Sequence, residues 1–398
     1  MTERTPTSCA LLQTPFHGRT SEAAEAQVWG RWDGYATVGV YSAVELEYFA
    51  IRNTATIFDL SPMKKYRVTG PDAERFLNRL VTRDITKLVP GRVAYCLWCN
   101  DDGQVLDDGT LFRFAEEDFR LCCQERQLVW LSDSAYGFEV HVEDVSEAIA
   151  ALSLQGPTSC AVLKRLGLLG IETLKPFAWR EAEVDGLKFT VSRTGFTGDL
   201  GYELWLAPED AEALWDALML AGAYCGIRPV GSAALDLARI EAGFVATNAD
   251  FLAADQAVRR NRGRSPFELG LGRLVDFDKG HFTGRRALQA ERREDSARYC
   301  LVGLDIEGNK PAKDALVYHR KSREVGHITS AMWSPTCKRN LALAMLRRPY
   351  GQERQDDLWV QIYTNKELKW DHQMCRARVV ERPFFKPTRR SATPALDY

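Results

Sequence analysis

The sequence predicts an α+β fold, with ferredoxin-like α/β units followed by a β-barrel or jelly-roll module. Three observations carry this. Residues 64–145 read roughly as strand, helix, two strands, helix and strand, with one strand added. Residues 151–244 repeat that order loosely. From about Arg298 the pattern changes to short alternating strands separated by turns. At 398 residues the chain is too long for one ordinary domain and long enough for two or three with substantial cores.

In the first unit Lys65-Tyr66-Arg67-Val68 alternates as a strand does. Gly70-Pro71-Asp72 then opens a helix whose apolar face uses Ala73, Phe76, Leu77 and Leu80. Strands follow at Val93–Trp98, Gly109–Phe114 and Phe119–Cys123. A helix from about Gln124 to Ala135 leads into a strand at Phe138–Val142. The second unit starts with a short strand at Ser153-Leu154, the break Gln155-Gly156-Pro157, and a helix through Leu166. Strands come at Ala182–Val184, Phe189–Ser192 and Tyr202–Leu206, then helices from Pro208 to about Ala223 and from Ser232 to about Ala242. The last module has strands at Leu301–Ile306, Val317–His319, His327–Ala331, Leu341–Leu346, Trp359–Tyr363 and Met374–Val380. The final dozen residues read as a loose tail.

Composition excludes several classes. A hydrophobic fraction of 45% and a charged fraction of 27% are those of a soluble globular protein. A net charge of −2 supplies no field to gather nucleic acid or an anionic membrane. No apolar run approaches the roughly 20 residues that span a bilayer, and Met1–Ala10 has no apolar secretory segment. The 10 cysteines mostly sit among apolar neighbours, as buried free thiols do, so the expected compartment is the cytoplasm. Cys96 and Cys99 form a CxxC, but three residues apart on a strand they face opposite ways, and no second pair stands at ligand spacing. The histidines show no ligand spacing either, and no metal site is expected. A G-x-S-x-G elbow, a Walker A loop and a G-x-G-x-x-G turn are all absent from the sequence.

The most informative stretch runs from Val93 to Thr110. Asn100-Asp101-Asp102-Gly103 is a turn signal, and Asp107-Asp108 follows it at the start of a strand. Paired acids are poorly placed in a strand. Successive residues face opposite sides, so only one of the two can point into a given cavity. A carboxylate there suits an N–H-rich heterocycle; the alternative is a solvated hairpin acid. Arg193-Thr194-Gly195-Phe196-Thr197-Gly198-Asp199-Leu200-Gly201-Tyr202-Glu203 is the second stretch. Its spaced glycines let backbone approach a ligand, or form an ordinary connection with a surface glutamate. Trp29, Trp32 and Tyr35 belong to an early aromatic cluster, either core or a cage for a cationic donor. The run Arg259 to Arg264 reads as a solvated loop or an anion contact.

In order along the chain these stretches resemble the glycine-cleavage T-protein (aminomethyltransferase) family. The matching segments include Ile57-Phe58-Asp59-Leu60-Ser61, Gly70-Pro71-Asp72-Ala73, Cys99 to Asp108 with Tyr95, and Leu154-Gln155-Gly156-Pro157. They continue through Arg193 to Glu203, Arg239-Ile240-Glu241-Ala242-Gly243, Phe282-Thr283-Gly284-Arg285 and Gly326 to Thr336. The resemblance implies three domains in a cloverleaf around a folate channel. Residues 1–63 with 146–250 would form a discontinuous folate-binding domain, 64–145 a second, 251–297 a linker region and 298–398 the barrel. It implies tetrahydrofolate as cofactor, Asp108 and Tyr95 as catalytic and folate-contacting residues, and Glu203 as the grip on the pterin. Phe196, Gln124 and Phe244 fall at further folate-contact positions, as departures from the family's tyrosines and asparagine.

T-proteins carry an arginine where this chain has Leu235. Losing a fixed cation there points away from an aminomethyl-lipoyl arm. An apolar residue at that place resembles the folate-dependent demethylases, including the dimethylsulfoniopropionate demethylase branch. The expected reaction is therefore methyl transfer from a small-molecule donor, an onium zwitterion or aryl methyl ether, to tetrahydrofolate. Trp29, Trp32, Tyr35 and Leu235 would hold that donor. The alternatives are aminomethyl transfer giving 5,10-methylenetetrahydrofolate, and folate binding without turnover. The chain is expected to act as a monomer or homodimer, without nucleic acid or membrane partners.

Overall fold

The computed structural model describes residues 10–352, 357–367 and 369–394. The N-terminal stretch 1–9 and the tail residues 395–398 lie outside the described residues. Among the described residues no helix is long and apolar enough to cross a membrane.

Two sheets and a barrel organise the chain. The first sheet has 6 strands in the order Trp179–Val184, Leu187–Ser192, Gly201–Leu206, Ala150–Gln155, Thr56–Asp59 and Arg228–Pro229. The second has 5, in the order Arg92–Cys99, Val105–Ala115, Asp118–Cys123, Lys64–Thr69 and His141–Asp144, all antiparallel. Because Thr56–Asp59 pairs with Ala150–Gln155, the whole second unit lies between two neighbouring strands of the first sheet. The carboxyl-terminal module is a closed barrel of Tyr299–Ile306, Leu316–His319, Arg323–Ser334, Arg339–Arg347, Leu358–Lys366 and Lys369–Val380. This is the α+β architecture with ferredoxin-like units and a β-barrel that the strand pattern predicts.

Alternation decides which face each strand turns to its core. In Gly201–Leu206 every residue is buried. Tyr202, Leu204 and Leu206 pack under the helices Ser159–Leu166 and Ala211–Gly222, whose Cys160, Leu163, Leu214 and Leu218 join the same cluster. Trp205 turns the other way, onto Phe112 and Cys122 of the second sheet and Met332 and Leu341 of the barrel. Each such buried apolar side chain contributes about 1.5–3 kcal/mol. The helix Ala73–Leu80 buries Ala73, Phe76, Leu77 and Leu80, the face its spacing predicts.

Three expectations shift. The helix expected from Gln124 begins only at Leu128, because Glu125 and Gln127 give their amides to the Asp107 carboxylate and the Tyr66 hydroxyl instead. The strand expected at Phe138 starts at His141: Phe138 packs edge-on against Phe76, and the Glu139 amide binds Asp72. The tail expected to be loose is tied down where it is described. Arg389 lays Nε and Nη2 against Asp199 at 2.6 and 2.8 Å, and Arg193 donates to the Ala392 carbonyl at 2.5 Å. The segment past the barrel thus straps the 193–199 loop.

Candidate functional site

The site is built on the hairpin of Arg92–Cys99 and Val105–Ala115. Register places Leu97 opposite Asp108 and Tyr95 opposite Thr110, so Tyr95, Asp108, Thr110 and Phe112 share one face. That face looks toward the first sheet, where Glu203 and Trp205 share a face by the same alternation. Phe112 and Trp205 meet edge to face at 5.5 Å, which fixes the two walls against each other. Gly109 faces the other side of that strand, where glycine is required by the neighbouring strand: a Cβ there would lie 2.1 Å from the Cys122 carbonyl.

Asp107 and Asp108 have different environments, as alternation demands. Asp107 is fully buried, and its carboxylate accepts from the amides of Asp108 and Glu125, each at 2.9 Å. Asp108 is half-buried and accepts the Tyr95 hydroxyl at 2.7 Å. Thr247 joins them, with Oγ1 2.8 Å from Asp107 and 3.0 Å from Asp108. A hydroxyl owns one proton. Both contacts are hydrogen bonds only when one carboxyl supplies the second proton. Burial agrees: it pushes both acids above the usual carboxylate range, and the Asp108 charge pushes Asp107 further. Against this, the Tyr95 and Thr247 hydroxyls pull Asp108 down. Burial and the Asp108 charge also hold the Tyr95 phenol well above its ordinary value, so it stays a donor.

Glu203 stands on the facing wall. Its Oε2 accepts the Thr194 hydroxyl at 2.5 Å, and among the described residues nothing donates to Oε1. Burial pushes its carboxyl up to about 7, against the Thr194 hydrogen bond and the Arg120 charge. Arg120 is buried, with its guanidinium 4.6 Å from both the Phe112 and Trp205 rings. Among the described residues its Nε and Nη2 have no hydrogen-bond partner.

The remaining expected residues separate into groups. Phe196 and Phe244 stack at 5.5 Å and 21°, forming a flat wall. Gln124 is exposed and uses its amide to hold the Thr247 carbonyl at 3.0 Å. Leu235 lies half-buried on the helix Ser232–Glu241, against the cluster between the sheets. The aromatic cage is not assembled. Trp32 and Tyr35 are cross-strand partners on one face of a hairpin, and Trp29, three residues before Trp32, faces the other way. Trp29 packs on His17 at 5.5 Å, Trp32 on Phe58 at 6.3 Å. The spaced glycines of the 193–201 stretch also serve the protein itself: Gly195 and Gly201 close on the Gln155 side chain, where a Cβ would lie within 2.2 Å.

Sequence reasoning missed Thr247, which carries no local signal, and the structural use of Arg239 and Glu241. Arg239 binds Asp250 and reaches the barrel hydroxyl of Ser330, while Glu241 takes Arg52, Tyr48 and Ser334. That Arg-Ile-Glu-Ala-Gly run keys the helix to the barrel. A separate cavity of about 480 Å³ lies at the barrel, lined by Cys337, Arg339, Leu341, Val379, Val380, Glu381 and Phe384. Apart from Leu341, which it shares with the inter-sheet cluster, none of the residues above lines it.

The chain matches known proteins along most of its length. Residues 17–279 match the GCVT N-terminal domain, and residues 300–386 the glycine cleavage T-protein C-terminal barrel domain. An aminomethyltransferase of Caldanaerobacter subterraneus subsp. tengcongensis is 32% identical over 359 residues, 89% of this chain and 91% of that protein. One from Anoxybacillus flavithermus is 33% identical over 355 residues, 88% of this chain and 92% of that protein. The crystal structure of glycine cleavage system aminomethyltransferase T from Bartonella henselae aligns with a TM-score of 0.81 at 26% identity, covering 94% of this chain and 98% of that one. With both of its domains matched in order, the chain belongs to the aminomethyltransferase (glycine-cleavage T-protein) family and is a one-carbon transferase.

Proposed function

We propose that the chain moves an aminomethyl carbon from a small donor to tetrahydrofolate, giving 5,10-methylenetetrahydrofolate. The residues fit that cofactor. A reduced pterin presents mainly N–H donors, and this cleft offers the half-buried Asp108, the buried Glu203 with an uncommitted oxygen, and the flat Phe196–Phe244 wall. Bound there, the folate would supply the nucleophilic nitrogens. Asp108 would orient the ring and stabilise charge developing on the attacking nitrogen. Holding the partners aligned can lower the barrier by about 7–11 kcal/mol.

One observation carries the choice of reaction: Thr247 Oγ1 lies 2.8 Å from Asp107 and 3.0 Å from Asp108, an arrangement that suits a proton held on one of the two acids. A carbon that ends bridging two folate nitrogens must break its bonds to both the amine and its carrier atom; each leaves with a proton given up by a folate N–H, and relaying those protons needs an acid. An onium methyl leaves behind a neutral group and needs none. The names of the relatives also favour aminomethyl transfer over the methyl transfer expected from Leu235. The methyl reading remains the second one, favoured by that leucine. Incubating the chain with tetrahydrofolate and aminomethyl or methyl donors, then weighing the folate product, separates them. A 5-methyl product alone would exclude the first reading; folate binding without either product would leave a binding protein.

A further inference from the structure

On the first-sheet wall a line of hydrogen bonds ends on Glu203. The Trp205 indole Nε1 donates to Ser192 Oγ at 3.2 Å, and Ser192 Oγ lies 2.7 Å from Thr194 Oγ1. Thr194 in turn donates to Glu203 Oε2 at 2.5 Å. Strand pairing builds the line: Ser192 sits opposite Glu203, and Trp205 is two residues on from Glu203, on the same face. All four residues are buried, which strengthens each bond and keeps water from competing for it.

The line runs one way. An indole N–H can only donate, and each hydroxyl owns one proton. Ser192 therefore accepts from Trp205 and has its own proton for Thr194, which spends its proton on Glu203. A proton on Oε2 would reverse the last two bonds and leave Ser192 donating to the Glu203 carbonyl at 3.4 Å instead. A proton on Oε1 reverses nothing, and among the described residues nothing donates to Oε1. The Arg120 guanidinium, 4.6 Å over the Trp205 ring, draws on the indole electrons and strengthens the first donor.

We infer that Trp205, Ser192 and Thr194 are positioning residues: their one-way relay keeps Oε2 an acceptor filled by the protein, so ligand N–H groups and protons compete for Oε1 alone. The ligand half of this rests on the folate reading. An ionised Glu203 accepts a pterin N–H at Oε1, and a protonated one offers a donor there instead. Other titratable groups reach the same interface. The facing sheet brings Lys65, Tyr95, Asp108, Arg120 and Cys122. The helix Ser232–Glu241 brings Asp236, Arg239 and Glu241, each ion-paired. Glu203→Gln separates Glu203 from all of them.

Two measurements test it. In ligand-free, isotope-labelled protein the Trp205 indole N–H resonance, assigned by its loss in W205F, should shift as pH crosses the Glu203 midpoint of about 7. That shift should vanish in E203Q and in S192A. No shift in the wild type, or an equal one in S192A, would overturn the relay. Tetrahydrofolate affinity against pH reads the consequence for the ligand. T194V should raise the Glu203 midpoint by about one pH unit, so it binds about tenfold more weakly than the wild type below both midpoints and alike above them. T194S keeps the hydroxyl and should keep the wild-type profile, and in an E203Q background T194V should change nothing. Equal weakening of T194V at every pH would overturn the positioning role of Thr194. A wild type that binds no tetrahydrofolate removes the folate reading instead, and the indole shift alone then decides the relay.

Discussion

Tyr95 and Asp108 meet at 2.7 Å across a hairpin because the register sets Leu97 opposite Asp108, leaving Tyr95 diagonal to it on the same face. The phenol is held in its protonated form, so it acts on Asp108 as a fixed donor.

Removing that donor has a direction. The Tyr95 hydrogen bond lowers the Asp108 proton affinity, so Tyr95→Phe raises it. The acidic limb of kcat/KM against pH should move to higher pH, with a loss of about tenfold at the wild-type optimum. An unmoved limb would separate Tyr95 from the titration.

Asp108→Asn and Asp107→Asn should fail differently. The first keeps the fold and loses at least about tenfold in rate. The second puts an NH2 donor in place of one of the two oxygens that accept from the Glu125 amide and from Thr247, so one of those bonds is lost, and should lower unfolding stability by about 1–3 kcal/mol. Urea midpoints read beside turnover distinguish them; equal stability losses would contradict the division of labour.

Glu203 links stability to pH. Its folded carboxyl is raised to about 7 from an ordinary value of 4.5, so the folded state binds the proton more tightly than the unfolded chain does. Stability should therefore fall as pH rises from about 4.5 toward 7, by up to about 3 kcal/mol from this group. Glu203→Gln should flatten that slope in thermal unfolding followed at several pH values. A variant with the wild-type slope would place the titration elsewhere, in the Asp107–Asp108 pair.

Asp199 is buried and takes the Arg389 fork as well as a 3.4 Å contact from Arg52. Asp199→Asn should destabilise by about 3 kcal/mol, read as a lower urea midpoint at unchanged slope. It should also expose the strap to limited proteolysis. A protected strap in the variant would show that its other contacts, Arg193 on the Ala392 carbonyl and Arg389 on the Arg52 carbonyl, are enough to hold it.

What the sequence made legible was local. The Asn100-Asp101-Asp102-Gly103 turn, the two-faced Asp107-Asp108 and the helical face of Ala73–Leu80 all follow from periods within one element. Cys96 and Cys99 are separable by strand alternation, and they do enter different clusters. The same parity argument applies to Trp29 and Trp32, and sequence spacing alone is enough to separate them and dissolve the aromatic cage. Thr247 was out of reach, since it meets Asp107 from 140 residues away. The strap was illegible for the same reason: Arg389 looks like a solvated tail residue until Asp199, 190 residues earlier, is beside it.

That last pairing has a consequence for the order of synthesis. A chain emerging from the ribosome completes its first sheet and its 193–199 loop well before Arg389 exists. Until then Asp199 has no fork on it, and the wall bearing Phe196 has no clasp. The loop is thus finished by the segment translated after the barrel, so a nascent chain folding from its amino end should gain its barrel before a competent ligand mouth.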